Sequence, residues 1–131
     1  MIEDTYRLHD VARRLLAQEE GADRDPIRMA DAVERVCQKL YQKLGPVIGD
    51  TAFRAWSHRA LRLTRAKYPF LTADVALDEA VCLVGLQRSV QGRDPALAAE
   101  ALTALLASFL AVFIGLTGKN LLWVYMREAW P

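Results

Sequence analysis

The stretch ALTALLASFLAVFIGLTG, residues 101–118, decides the fold, because it carries no charged side chain and is apolar all round a helix. At a rise of 1.5 Å per residue it would extend roughly 27 Å, just under the hydrocarbon thickness of a bilayer. Its length therefore fits either a membrane-spanning helix or the central helix of a bundle.

The composition of this stretch favours a core helix. It is rich in Ala and contains Thr103, Ser108 and Thr117, and no cluster of Lys or Arg flanks it to fix an orientation in a membrane. The other segments are amphipathic and need an apolar surface to cover, which a helix that is apolar all round provides. We therefore predict a soluble core helix, with a membrane-associated protein anchored by residues 101–118 as an alternative.

Small residues and glycines shape the same helix. Ala107, Ala111 and Gly115 are spaced by four on one ridge and predict the close approach of another helix. Gly118 lies where the sequence predicts a kink or an interruption, so that residues 94–130 form one long helix or two.

Proline and glycine divide the rest of the chain into segments of helical periodicity. Asp25 and Asp94, each followed by proline, are helix starts, while Gly45 and Pro46 predict a helix stop. Gly85 weakens the helix predicted around it. The sequence predicts an all-α, single-domain bundle of five to six mostly antiparallel helices around a long apolar C-terminal helix. The predicted helices are residues 3–20, 26–44, 50–67, 73–91, 94–116 and 118–129.

Apolar residues at spacings of three and four predict the buried faces of these helices. On the first helix they are Leu8, Val11, Ala12, Leu15 and Leu16. On the second they are Ile27, Ala30, Val33, Val36, Cys37, Leu40, Tyr41 and Leu44. On the third they are Phe53, Trp56, Ala60 and Leu63, with Leu61 flanking this stripe.

Composition limits the possible functions. The formal net charge is +1, so no global field attracts nucleic acid or anionic lipid. Cys37 and Cys82 lie in apolar repeats without the spacing of a zinc site or a disulfide framework, and His9 has no companion at metal spacing. The acidic, polar start lacks the features of a secretory signal, which favours a cytoplasmic location.

No catalytic motif is present, so we predict a protein that is not an enzyme and that needs no cofactor or metal. The chain has no nucleophile elbow, phosphate-binding loop or metalloprotease motif. Glu100 is the acidic residue that we expect to be partly buried, with a capping or ion-pairing role near a helix start.

A basic stripe is the main local anomaly in charge. Residues 51–68 contain five Lys and Arg side chains and no acidic one. The stripe, called the basic face below, consists of Arg54, His58, Arg59, Arg62 and Arg65. Helical spacing predicts that these side chains project together, where Arg can bind the oxyanions of a protein partner or, as an alternative, of nucleic acid. The interpretation that the sequence favours for the stripe itself is a solvated face partly neutralised by carboxylates such as Asp10, Asp74, Asp78 and Glu79.

The segment WSHRALRL, residues 56–63, resembles over these few residues the histidine-bearing helix of phosphotransfer proteins. That resemblance implies an exposed imidazole at His58 that accepts a phosphoryl group, with Arg62 one turn away to stabilise it. The chain lacks the kinase ATP-binding region and the glycine that commonly follows in such domains. A solvated histidine is therefore the preferred interpretation.

The end of the chain is crowded with aromatic residues, which commonly mark interfaces. The candidate self-association surface consists of Trp123, Tyr125, Met126 and Trp130. We predict a small non-enzymatic interaction or regulatory module that forms a homodimer. The principal alternative is a nucleic-acid-binding helical domain that uses the basic face.

Overall fold

A computed structural model of the chain describes residues 2–20, 25–71 and 85–118. Within these ranges the chain forms five helices and no strand, and the prediction of an all-α, single-domain bundle is confirmed. The helices are α1 Ile2–Glu20, α2 Pro26–Ile48, α3 Asp50–Arg65, α4 Leu86–Val90 and α5 Pro95–Thr117. The predicted helix at 118–129 lies outside the described residues except for Gly118, which is not helical.

Helix α5 is the centre of the bundle and packs against α1, α2 and α3. Its start is the predicted one: Asp94 Oδ2 accepts a hydrogen bond from the Leu97 amide at 3.2 Å, and Pro95 occupies the first turn. Its end is also the predicted one, because Gly118 adopts a φ of 91°, which side-chain-bearing residues rarely adopt. The helix that begins at Pro95 therefore ends at Thr117.

The apolar surface of α5 is used mainly inside the bundle. Residues 95–115 form a helix long and apolar enough to cross a membrane by length and composition, yet 61% of its most apolar window is buried within the fold. Leu102, Phe109 and Phe113 are buried, as is Ala107, but Ala111 and Gly115 are exposed. The predicted small-residue ridge is thus wrong for Ala111 and Gly115, because the described neighbours of α5 pack on its other sides.

Helices α1 and α2 bury the faces that their apolar spacing predicts, with one exception. The exception is Ile27, which is 41% exposed although it continues the predicted face of α2. It lies in the first turn, where the tilt of helical side chains toward the N-terminus carries them past the end of the element. The start at Asp25 is confirmed, since Asp25 Oδ1 accepts a hydrogen bond from the Ile27 amide at 3.2 Å.

The predicted stop at Gly45 and Pro46 is wrong, because α2 continues to Ile48. A residue before proline is normally pushed out of the helical region by a clash that involves its Cβ, and Gly45 has no Cβ. The helix ends instead at Gly49, which has a φ of 87° and donates its amide to the Gly45 carbonyl at 2.8 Å.

The predicted helix 73–91 is also wrong as one continuous element. Gly85 adopts the left-handed conformation, with φ 83° and ψ 10°, and α4 begins only after it; residues 72–84 lie outside the described residues. Glycine offers no side chain to cap α4, and Glu34 of α2 takes that role by accepting a hydrogen bond from the Leu86 amide at 3.4 Å. Gln87 donates a second bond from α4 to Asp31.

We expect Glu34→Gln to raise the melting temperature at pH 7. Burial raises the pKa of the Glu34 carboxyl above its ordinary value of 4.5, and the nearby Asp31 acts in the same direction. Glutamine keeps an acceptor for the Leu86 amide without a partly desolvated charge.

The pH dependence of the melting temperature tests whether the Glu34 charge causes the difference between the wild type and Glu34→Gln. A raised folded-state pKa favours the folded protein below pH 4.5, and this advantage is lost as the pH rises through the folded pKa. Thermal melts from pH 3.5 to 8 should therefore show the two proteins converging at the acidic end. Glu34→Ala, which removes the acceptor, should be less stable than Glu34→Gln at pH 7. An equal difference between Glu34→Gln and the wild type at every pH would contradict this explanation.

The segment after α3, residues 66–71, contacts α5 and the residues just before it through side chains. Helix α3 ends at Arg65, two residues before the predicted end at residue 67, and a turn separates it from Pro69. The Tyr68 hydroxyl donates a hydrogen bond to Glu100 Oε1 at 2.9 Å, and Arg93 lies over the ring of Phe70 at 4.9 Å. Glu100 is exposed, so the prediction of partial burial is wrong, while Tyr68 is buried.

Candidate partner-binding face on helix α3

Helix α3 is fixed by the face that it buries against α2 and α5. The buried residues are Phe53, Ser57, Ala60, Leu61 and Thr64. At the centre of the contact, the ring of Phe53 lies 5.8 Å from Phe109 and 5.0 Å from Phe113, both on α5. Trp56 covers the edge of this cluster with its ring 5.1 Å from that of Phe113.

The buried face is rotated relative to the one predicted from apolar spacing. Leu63 is 54% exposed and Leu61 is buried, which reverses their expected roles. Ser57 and Thr64 lie on the buried face although their side chains are polar. Each hydroxyl donates a hydrogen bond to a carbonyl of its own helix, at 2.9 Å in both cases, and therefore does not need a water molecule as its partner. Sequence reasoning missed both residues, although a hydroxyl one turn beyond an apolar residue was the available signal.

This rotation divides the basic face into two parts. Arg59, Arg62 and Arg65 are exposed, whereas Arg54 and His58 are half-buried at the border with the packed face. These five residues therefore share one side of α3, as predicted, but they differ in how much of each side chain is exposed to solvent.

No described carboxylate forms an ion pair with Arg59, Arg62 or Arg65. Of the carboxylates proposed to neutralise them, Asp10 pairs instead with Arg13 on α1 at 3.3 Å. Asp74, Asp78 and Glu79 lie outside the described residues. The described part of the bundle thus presents these arginines to solvent without a neutralising partner.

Two nitrogen atoms of the basic face are buried without a hydrogen-bond partner among the described residues: Arg54 Nε and His58 Nε2. Buried polar atoms in native proteins are nearly always satisfied, and each unsatisfied one costs about 1–3 kcal/mol. The phosphotransfer resemblance implied an exposed imidazole, and the burial of His58 Nε2 contradicts that expectation. The spacing of residues could not reveal these atoms, because their burial depends on the rotation of α3.

The other titratable and metal-ligating side chains do not form a second candidate site among the described residues. Within the described ranges, no three His, Cys, Asp or Glu side chains come together as a possible metal site. Cys37 is buried in α2 and His9 is half-buried on α1, while Cys82 lies outside the described residues. Burial raises the pKa of the Tyr68 hydroxyl, and its hydrogen bond to Glu100 acts in the same direction. That pair has a structural role between the segment after α3 and helix α5.

The candidate self-association residues Trp123, Tyr125, Met126 and Trp130 lie outside the described residues, and self-association stays a prediction. The described residues form a small all-α bundle in which Arg59, Arg62 and Arg65 are exposed and form no ion pair with a described carboxylate. Comparison with known family models, curated proteins and solved structures finds no match.

Proposed function

We propose that this protein is a small, non-enzymatic helical interaction module that binds an acidic protein partner through the basic face of α3. The observation that carries the proposal is the absence of any ion pair between a described carboxylate and Arg59, Arg62 or Arg65. Exposed arginines that have no ion-pair partner among the described residues lose no such partner on binding. Their planar forks match the geometry of carboxylates.

The chemistry of α3 favours a protein over nucleic acid. Phe53 and Trp56 lie toward α5, so neither aromatic ring is on the basic face to stack against a base. The net charge of +1 supplies no long-range attraction to a polyanion. A short cationic surface on a neutral domain instead suits a partner with a local acidic patch.

Self-association is a separate part of the proposal. The predicted homodimer would use Trp123, Tyr125, Met126 and Trp130, none of which belongs to the basic face. The proposed cytoplasmic location is compatible with both interactions.

The double variant Arg62→Glu/Arg65→Glu is expected to weaken binding of a labelled poly-L-glutamate peptide by about tenfold or more, since two attractive contacts become repulsive. The measurement is fluorescence anisotropy at low salt, with DNA oligonucleotides as competing probes. The matched control is Arg13→Glu/Arg14→Glu on α1, whose side chains are also exposed. It changes the net charge equally and should bind almost as the wild type does.

Two results would count against the proposal. Equal loss of affinity in both double variants would show that net charge, and not the basic face, controls binding. Preferential binding of DNA, with an affinity that falls steeply as salt rises, would favour the nucleic-acid alternative.

A further inference from the structure

The two unsatisfied nitrogen atoms belong to neighbouring side chains. Arg54 and His58 are four residues apart on α3, a spacing that brings successive turns of a helix face together. Arg54 Nε and His58 Nε2 are also the two buried side-chain atoms of the described residues that have no hydrogen-bond partner. The defect in hydrogen bonding is therefore concentrated at one place on the basic face.

These nitrogen atoms are suited to an oxyanion. The Nε–H group of an arginine and one adjacent Nη–H group form a fork that matches the two oxygens of a carboxylate. His58 Nε2 supplies a further donor when it carries the proton. Both residues are only half-buried, and binding would need a change of side-chain rotamer that brings the nitrogens to the surface.

We infer that Arg54 and His58 form an oxyanion subsite that anchors the basic face to its ligand. In the free protein these nitrogens are buried and have no hydrogen-bond partner among the described residues, and a bound oxyanion supplies the missing hydrogen bonds. The inference rests on the proposed function for the source of the oxyanion, a carboxylate of the acidic partner. Free phosphate offers the same chemistry and is separated from it by experiment.

The subsite predicts that stability and binding change in opposite directions. Replacing both groups by apolar ones of similar size, Arg54→Met/His58→Leu, removes the unsatisfied atoms and should raise the melting temperature by about 3–10 °C. The same variant should bind poly-L-glutamate about tenfold or more weakly than the wild type. Arg59→Met is the matched control on the same helix, since it removes an exposed charge and should leave the melting temperature nearly unchanged.

Direct binding is measured by nuclear magnetic resonance on the wild-type protein. Glutarate is titrated while the Arg54 Nε–H signal is followed, with sodium chloride at matched ionic strength as the reference and inorganic phosphate as a second arm. A saturable shift of Arg54 with glutarate that is larger than that of Arg59 supports the subsite and the carboxylate source. A saturable shift with phosphate alone supports the subsite and contradicts the source.

The inference is overturned by either of two results. One is an Arg54 signal that responds to glutarate and phosphate no differently from chloride. The other is an unchanged or lower melting temperature in the double variant, which would mean that the nitrogens are already satisfied in solution. If Arg54→Met/His58→Leu binds poly-L-glutamate as the wild type does while Arg62→Glu/Arg65→Glu does not, the subsite fails and the proposed function stands.

Discussion

Phe53→Ala is expected to lower the free energy of unfolding by about 3–5 kcal/mol, the range for removing a fully buried aromatic side chain. The ring of Phe53 is completely buried and lies between two helices. It approaches Tyr41 of α2 at 5.2 Å, Phe113 of α5 at 5.0 Å and Phe109 of α5 at 5.8 Å. Truncation therefore leaves a cavity where α2, α3 and α5 meet, and these rigid neighbours cannot readily fill it.

The measurement is urea denaturation followed by circular dichroism. Leu63→Ala is the control on the same helix, because Leu63 belongs to the predicted apolar stripe but is 54% exposed. It should cost less than about 1 kcal/mol, since only a partly buried side chain is removed. Similar losses for the two variants would contradict the observed rotation of α3 and restore the stripe predicted from apolar spacing.

Gly45→Ala is expected to destabilise the protein by about 1–3 kcal/mol, although alanine is the better helix former. A Cβ at Gly45 would lie 2.7 Å from Cε1 and 2.9 Å from Cδ1 of Tyr41. That ring cannot move away cheaply, because it packs edge-on against Phe53 at 5.2 Å and its hydroxyl donates to Asp50 Oδ1 at 2.5 Å. Relief of the overlap would break both contacts.

Two controls separate the overlap from helix propensity. Gly115→Ala changes a helical glycine of α5 that has nothing within 4 Å of the added Cβ, and it should stabilise the protein by up to about 1 kcal/mol. In a Tyr41→Ala background, Gly45→Ala should also become neutral or stabilising, as measured by a double-mutant cycle in urea. If Gly45→Ala still lowers the free energy of unfolding in the Tyr41→Ala background, the destabilisation comes from the backbone next to Pro46 and not from the overlap with the ring.

The candidate site was only partly predictable from the sequence. The spacing of Arg54, His58 and Arg62 places them on one side of a helix wherever that helix packs. Their burial and hydrogen bonding depend on how α3 is turned against α5. Apolar spacing correctly predicted that Phe53 and Ala60 are buried, but it also placed Leu63 on that face, and Leu63 is 54% exposed. The error arose because Ser57 appears polar in a sequence, whereas in the helix its hydroxyl is satisfied by the Phe53 carbonyl at 2.9 Å. The unpaired nitrogens became visible only after this rotation was known.

The sequence by itself determined the features that depend on local chemistry. Asp25 and Asp94 start their helices because a short carboxylate and the following proline suit the first turn without help from the rest of the fold. Gly118 ends α5 because glycine readily adopts its positive φ. The apolar character of residues 101–118 likewise fixed the identity of the core helix, since the amphipathic helices need one apolar surface in common.

Only the tertiary structure decided the features that depend on neighbours distant in the sequence. The start of α4 is capped by Glu34 across the bundle, since Gly85 has no side chain to do so. The rotation of α3 follows the aromatic contacts of Phe53 with α2 and α5, and it decides which members of the basic face are exposed. Local periodicity identifies a helix, but the orientation of that helix is set by the shape of what it packs against.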